Sequence, residues 1–421
     1  MPRRIAVVGA GWAGLAAAVA CAERGHAVTL PEAPRVAGGR ARTLALELPD
    51  GTTTLVDNGQ HILIGAYTET LRMMEKVGVR PAEALLRLPL TLLDAHGQGL
   101  ALPDWPAPWD AAAGIVRARG WDWRDKLSLL RASTAWQLAR FRCPEDLSVA
   151  GLTRGLTQRV RDELVEPLCV AALNTPGERS SASVFLRVLR DGLFGKGYGG
   201  WGGSNLLLPR QALGALFPDA AQRWLLERGA QVRLGQRVQS LERQGTGWTV
   251  DGEPFDAVVL ATPSTEASRL VVRSGVSADA WLAHAGALQF EPIATVYATG
   301  GPALPLPMLA LRTGPAQFVF DRGQLGGPRG LLAFVASACD GEKEAIERDV
   351  LAQAAAMGWK VQALQTVVEK RATFACMPGL RRPSAAIAHG LWACGDYVDG
   401  PYPATLEGAV RAALGVSSEI A

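Results

Sequence analysis

Cysteine, histidine and net charge are all scarce in this chain, and each scarcity excludes something. The six cysteines (Cys21, Cys143, Cys169, Cys339, Cys376 and Cys394) form no Cys-x-x-Cys pair and join no Cys/His cluster. That spacing argues against a zinc site and a disulfide framework, so no metal is expected and a reducing cytoplasm suits the chain. The net charge is only +3 over 421 residues, without a basic run, so nucleic acid is not an expected partner. No apolar run reaches the roughly eighteen residues that a membrane-spanning helix needs. The first motif begins a few residues after Met1, so no signal peptide is expected. The expected location is cytoplasmic, soluble or peripheral on the inner face of a membrane. No internal repeat is present, and Gly192–Gly203 is the one stretch of low complexity. What the chain does have is 48% hydrophobic against 20% charged residues, enough for a large core in two interwoven domains.

The opening segment is the most informative. A short apolar strand from Ile5 runs into Gly9, Gly11 and Gly14 in a Gly-x-Gly-x-x-Gly turn, followed by small helical residues. A second strand, Ala27 to Leu30, then leads to Glu32. Gly9 permits the tight turn, Gly11 lets backbone approach a pyrophosphate, and Gly14 lets the helix pack on the sheet. The pyrophosphate sits at the helix N-terminus, where free amides and the helix dipole favour negative charge. Glu32 stands at the distance where an acid accepts from a ribose hydroxyl. Pro31 is irregular in a strand and is tolerated at its end. This unit is expected to bind an adenine dinucleotide.

Further strands are expected at Gln231–Leu241 and Trp248–Pro263, with a turn at residues 244–247. A helix-rich insertion from Tyr67 to Leu208 separates them from the opening unit, and Asp219–Arg228 forms an amphipathic helix. Leu391 to Asp396 reads as strand and turn, and Ala404–Leu414 as a terminal helix. The dinucleotide-binding domain is therefore expected in three pieces, residues 1–66, 205–263 and 384–421. Residues 67–204 and 264–383 are expected to form a substrate-binding domain.

Three more segments bear on the cofactor. Gly38-Gly39-Arg40 follows Glu32 closely, and Arg40 offers a fork for phosphate or flavin oxygens. Residues 256–263 form a strand ending in Ala-Thr-Pro. Gly395-Asp396 precedes Ala404-Thr405, where Asp396 accepts from ribityl or ribose hydroxyls and the helix start faces a flavin carbonyl. Together these segments resemble the FAD-dependent amine oxidase and phytoene desaturase superfamily over nearly the whole chain. The resemblance implies an α/β fold, an α+β two-domain flavoprotein in which a Rossmann-type FAD-binding domain interweaves with a mixed sheet and helical substrate domain. It also places Gly9, Gly11, Trp12, Ala13, Gly14, Glu32, Gly38, Gly39, Arg40, Gly59, Gln60, His61, Val238, Gly395, Asp396, Ala404 and Thr405 against FAD. Val238 is assigned by that resemblance alone, as a strand residue beside adenine.

Within the superfamily, Asp57 to Gly65, Glu166 to Pro176, Ser204 to Pro209 and Pro403 to Val410 resemble hydroxysqualene dehydroxylases. That resemblance implies removal of the allylic hydroxyl of hydroxysqualene to give squalene, on a route to hopanoids or other triterpenoids. It also implies transient contact with the upstream enzymes of squalene formation. The chemistry asks for a proton donor, an apolar grip on a long isoprenoid and exclusion of water. His61, Asp57 and Glu166 are the candidates for the proton; His61, beside apolar Ile62 and Leu63, better suits a packed, hydrogen-bonded role. Two other functions share this architecture. One is oxidative desaturation of a carotenoid or phytoene-type polyene. The other is a flavin-free lipid carrier of the Rab escort or GDP-dissociation inhibitor type, which would not need Glu32, Arg40 and Asp396 intact.

The insertion gathers Trp105, Trp109, Trp121, Trp123 and Trp136 with Arg117, Arg119, Arg124, Lys126, Arg131, Arg140 and Arg142. Tryptophan among cations suits contact with an anionic membrane surface. It equally suits a tryptophan-rich core face beneath a solvated basic one.

Overall fold

The computed structural model describes residues 2–420. The chain opens with β1 (Arg4–Val8), α1 (Trp12–Glu23) and β2 (Ala27–Glu32). Ten of the twelve α1 residues are buried, and most are alanine, glycine or valine. A helix apolar on all sides and made of small residues belongs in an interior, where backbones approach closely. The insertion follows, with α2 (Thr68–Lys76), α3 (Trp109–Arg117), α4 (Trp123–Leu138), α5 (Glu166–Leu173) and α6 (Ala182–Leu193). Short strand pairs accompany these helices, including Leu85–Leu88 against Leu206–Pro209, so the expected helix-rich segment is not purely helical.

The dinucleotide unit resumes with β3 (Gln231–Leu234) and β4 (Ala257–Leu260). Between them Leu241–Gln244, Gly247–Val250 and Glu253–Phe255 form a separate antiparallel meander. The two long strands expected from the sequence are thus five short ones. Turns at Gly235, Gly245 and Gly252, all with positive φ, divide them. The chain then builds β5 (Phe290–Thr299), β6 (Met308–Ala310), β7 (Phe318–Asp321), β8 (Leu332–Ser337) and β9 (Gln362–Phe374). It closes with β10 (Ala386–Ala388), β11 (Leu391–Ala393) and α7 (Leu406–Glu419).

Two sheets organise these elements. The first has the order β3-β2-β1-β4-β11-β10, parallel except for β10. Its central strand β4 is buried along its whole length, as a parallel strand covered on both faces requires. The α1 helix crosses between β1 and β2, and α7 packs beside it. The second sheet is antiparallel, in the order β6-β7-β8-β5-β9.

β2 runs two residues beyond the expected end, with Pro31 and Glu32 in register with Arg233 and Leu234 of β3. The Pro31 carbonyl accepts from Gly9 N at 2.8 Å on the β1 side. The paired register of β1 with β2 ends at Ala6 and Thr29, so Pro31, which has no N–H to donate, falls beyond that ladder. All the parallel strands of the first sheet end at one edge. In an open α/β sheet that edge, where the order reverses beside β1, is where ligands bind.

Candidate functional site

A cavity of about 600 Å³ opens at this edge and runs beneath the antiparallel sheet. Its walls come from the strand ends, at Gly9 after β1, Glu32 in β2, Ala261 after β4 and Gly395 after β11. The turn after β1 is built on absent side chains. Gly9 has φ +109°, and a Cβ there would lie 2.7 Å from the Ala261 carbonyl oxygen. A Cβ on Gly14 would lie 1.8 Å from the Gly9 carbonyl oxygen. Gly11 differs, because a Cβ there would meet only the Gly39 Cα, at 4.0 Å. The backbone of Gly11 therefore borders open space at the N-terminus of α1. No side chain caps that terminus and its first turn has no acid, so the amides and dipole are left for an anion.

Glu32 accepts a short hydrogen bond from Ala10 N, and burial pushes its carboxyl pKa above the ordinary value. Gly38 N donates to the Ala10 carbonyl at 2.8 Å, which brings the Gly38–Arg42 loop against the same turn. Arg40 pairs with Asp396 and donates to the Ala372 carbonyl at 2.7 Å. One guanidinium thus joins the opening unit, the C-terminal end of β9 and the turn after β11. Farther along, Thr405 caps α7 by accepting from Gly408 N at 2.9 Å. The helix begins at Leu406 rather than at Ala404, and Ala404 is left-handed at φ 57°. A non-glycine residue there costs energy that the surrounding structure must hold, a feature that clusters at ligand sites.

This end fits FAD. Gly11 and the α1 terminus offer room and amides for a pyrophosphate, and Glu32 and Asp396 are acceptors placed for hydroxyls. The Tyr397 hydroxyl is buried without a hydrogen-bond partner in the same cavity wall. All the residues expected to contact FAD line the cavity except Gly14, whose place is the helix–sheet contact. Val238 is buried in the wall but not on a strand, because β3 stops at Leu234 and the chain turns at Gly235.

The other end is apolar. Phe318 and Phe320 are two apart on β7 and so face the same way, and Val335 of β8 stands in register with Phe318. Ile293 of β5, Ile62 and Ala172 of α5 extend this wall. These aromatic and branched residues lie far from the glycine motifs, and their sequence signal is only strand alternation. Asn174 ends α5 in the left-handed conformation at φ 48°, where asparagine is tolerated. Its amide donates to Thr373 Oγ1 at 2.9 Å and accepts from Ala338 N at 2.7 Å. Buried Arg322 donates to Gln60 Oε1 at 3.1 Å and so fixes that side chain in the wall.

Of the three proton-donor candidates, His61 alone lines the cavity. Burial and the Arg40 charge lower its pKa, so the imidazole is neutral near pH 7. Its Nδ1 lies against the Gly59 carbonyl, which can only accept. The proton therefore sits on Nδ1, and Nε2 is the free acceptor. Asp57 is not in the wall. It is 1% exposed, and its Oδ1 accepts from Leu213 N at 2.7 Å while Oδ2 has no partner. Burial pushes it up to about 6, offset in part by the Leu213 bond and the Arg322 charge. Glu166 is also outside the cavity, accepting from Gly177 N at 3.2 Å. It opens α5 directly after a π turn over Arg161–Val165.

The tryptophans of the insertion divide between the two readings. Trp121 is buried and donates to Glu163 Oε2 at 2.9 Å, and Trp136 is half-buried. Trp105, Trp109 and Trp123 are 48%, 68% and 69% exposed, and Val116 and Leu138 are exposed with them. The Arg117 guanidinium stacks over Trp105 at 5.0 Å. Among the described residues no helix is long and apolar enough to cross a membrane.

Comparison with known proteins agrees with this geometry. The family described as flavin containing amine oxidoreductase matches residues 12–421. A hydroxysqualene dehydroxylase of Rhodopseudomonas palustris is 27% identical, over 98% of this chain and 96% of its own. A hydroxysqualene dehydroxylase of Sinorhizobium fredii is 26% identical over the same shares. An oxidoreductase of Methanosarcina mazei shares the fold, with TM-score 0.74 over 99% of this chain and 100% of its own, at 16% identity.

Proposed function

The chain belongs to the flavin-containing amine oxidoreductase family, and from that membership we propose that it catalyses FAD-dependent reductive dehydroxylation of hydroxysqualene to squalene. The observation that carries this reading is one cavity with a dinucleotide cradle at one end and an apolar chamber at the other. Similarity to hydroxysqualene dehydroxylases over almost the entire chain supports the choice of substrate. On this reading the three-piece unit around the parallel sheet holds FAD, and residues 67–204 and 264–383 hold the isoprenoid.

The overall change is loss of the allylic hydroxyl as water, with uptake of one proton and one hydride. FAD, bound in its reduced form, supplies the hydride. Gly11 and the α1 amides hold the pyrophosphate, Glu32 a ribose hydroxyl, and Arg40, Asp396 and the Thr405 cap the flavin end. Phe318, Phe320, Val335 and Ile293 grip the hydrocarbon and exclude water, which protects a carbocation from capture. His61 Nε2 accepts from the substrate hydroxyl and orients it. Asn174 fixes the end of α5 against the antiparallel sheet and so sets the width of the chamber.

The exposed face of Trp105, Trp109 and Trp123, with Arg117 and its neighbours, rests on an anionic membrane on the cytoplasmic side. A water-insoluble substrate is concentrated there, and the enzymes that supply it are transient partners. The decisive experiment is anaerobic incubation of the reduced, FAD-loaded protein with hydroxysqualene, following squalene by mass spectrometry alongside flavin reoxidation. Squalene formed in step with reoxidation establishes the reaction. Stable reduced flavin beside untouched substrate refutes it and turns attention to oxidative turnover of polyenes.

A further inference from the structure

The insertion encloses a second cavity, of about 60 Å³, that none of the cofactor motifs reaches. α3 and α4 cover it with Ile115, Leu129 and Trp136, and α6 closes it with Leu189. Among the described residues Ser133 contributes the one side-chain hydroxyl to its lining. An apolar cavity of this kind stays dry, costs stability in proportion to its volume and accepts hydrocarbon.

Its position relates it to the main cavity. Leu164, Val165 and Leu168 line the small cavity, and Ala171, Ala172 and Asn174 line the large one. Leu168 is three and four residues from Ala171 and Ala172, so these side chains share one face of α5. The two cavities therefore border the same face of α5, the small one at Leu168 and the large one at Ala171 and Ala172. At the other side of the small cavity the Phe141 and Phe194 rings meet at 5.4 Å, tilted by 49°. Arg140 and Phe141 are both left-handed, at φ 52° and 55°, a conformation that costs energy for residues with a Cβ. This strained pair follows exposed Leu138 at the C-terminal end of α4, the helix that exposed Trp123 opens.

We propose that the second cavity is a subsite for one hydrocarbon arm of the isoprenoid substrate, closed at its outer side by the Phe141–Phe194 pair. The proposal rests on the hydroxysqualene reading and deepens it. The hydroxyl of that substrate lies near mid-chain, so apolar chain extends both ways from the reacting carbon and one chamber serves only one arm. With both rings in place the small cavity admits part of an arm. Full occupancy moves the Phe141 ring outward, which relieves the left-handed backbone that holds it.

The test uses FAD-loaded protein and farnesol, a fifteen-carbon isoprenoid alcohol half the length of the substrate, as the probe. Ser133→Phe fills the small cavity and Ser133→Asp places a charge at its lining, while both leave the FAD cradle intact. Farnesol affinity, read by calorimetry, is expected to fall at least tenfold in either variant, about 1.4 kcal/mol. The KM for hydroxysqualene rises by a similar factor, with kcat within twofold and the flavin absorbance spectrum unchanged. If Ser133→Phe does not fold, the half-buried site still accommodates Ser133→Asp, which decides alone. Farnesol affinity equal to wild type overturns the subsite, whatever the turnover. A wild-type protein that makes no squalene overturns the dehydroxylation reading instead, and the binding comparison still decides the subsite.

Discussion

Two glycines of the opening turn separate the fold from the cofactor, because adding one methyl group has opposite consequences at each. At Gly14 the new Cβ would sit 1.8 Å from the Gly9 carbonyl oxygen and 3.0 Å from the Ala261 Cβ. Neither is the flexible end of a side chain, so α1 must move off the sheet. Overpacking of this kind costs about 1–3 kcal/mol. At Gly11 the Cβ would have 4.0 Å to its nearest neighbour, and φ is −74°, which alanine adopts freely. The smaller entropy of the unfolded chain roughly balances the poorer cap, so Gly11→Ala changes apoprotein stability by less than about 0.5 kcal/mol. A pyrophosphate lying on the Gly11 backbone, however, would collide with the methyl group. Gly11→Ala should then weaken FAD binding at least a hundredfold, about 2.8 kcal/mol. The assay pairs thermal unfolding of both apoproteins with titration of FAD by fluorescence quenching. Gly14→Ala should lower Tm and FAD affinity together, whereas Gly11→Ala should lower affinity alone. FAD affinity within about threefold of wild type in Gly11→Ala would refute the placement of the pyrophosphate there.

The other predictions concern charge, protons and lipid. The raised pKa of Asp57, about 6, means that the folded state keeps a proton between pH 4 and 6 that the unfolded state has lost. Its contribution to stability therefore falls as pH rises through that window, by up to about 3 kcal/mol. Asp57→Asn should be the more stable protein at pH 8 and lose that advantage near pH 4, and a pH-independent difference in urea unfolding would contradict this. His61→Ala should keep FAD bound and retain measurable turnover with a raised KM, since the imidazole is neutral and orients rather than protonates. Loss of all turnover with flavin still bound would make His61 the acid. The triple substitution of Trp105, Trp109 and Trp123 by serine should abolish salt-sensitive sedimentation with anionic vesicles and leave FAD affinity unchanged, because all three side chains are exposed. Wild-type protein that ignores such vesicles would remove the membrane from the reading.

The opening unit was legible because its physics is local. The strand, the three glycines, the helix and Glu32 follow one another within thirty residues, and each needs only its neighbours to define its conformation. The division of residues 231–260 was not fully legible, because turns at Gly235 and Gly252 cut the two expected strands into pieces that join two different sheets. Pro31 marked a strand end that the structure carries two residues further, because β2 stays paired with β3 through Glu32 after its paired register with β1 has ended at Thr29. Asp57 and Glu166 were legible as acids near family-like segments but not as groups turned away from the cavity. Their orientation is set by Leu213 and Gly177, and the first of those partners is 156 residues distant.

The apolar end of the site was illegible for a related reason. Phe318, Phe320 and Val335 become a wall only through the pairing of β7 with β8, and alternation along one strand cannot say which face meets a ligand. Arg40 is the point where the legible and illegible parts meet. Its place near Glu32 announced a cofactor contact, yet its observed partners lie 332 and 356 positions away, at Ala372 and Asp396. The guanidinium therefore stitches the dinucleotide turn to β9 of the antiparallel sheet as well as to the turn after β11. It also follows that a ligand competing for Arg40 or Asp396 acts on the junction of the two sheets, and not only on its own pocket. Any FAD that binds the folded chain alone adds stability in proportion to the logarithm of its concentration. β9 joins the cofactor cradle to the apolar chamber, because it contributes Ala372 to the Arg40 contact and Thr373 to the bond that anchors Asn174.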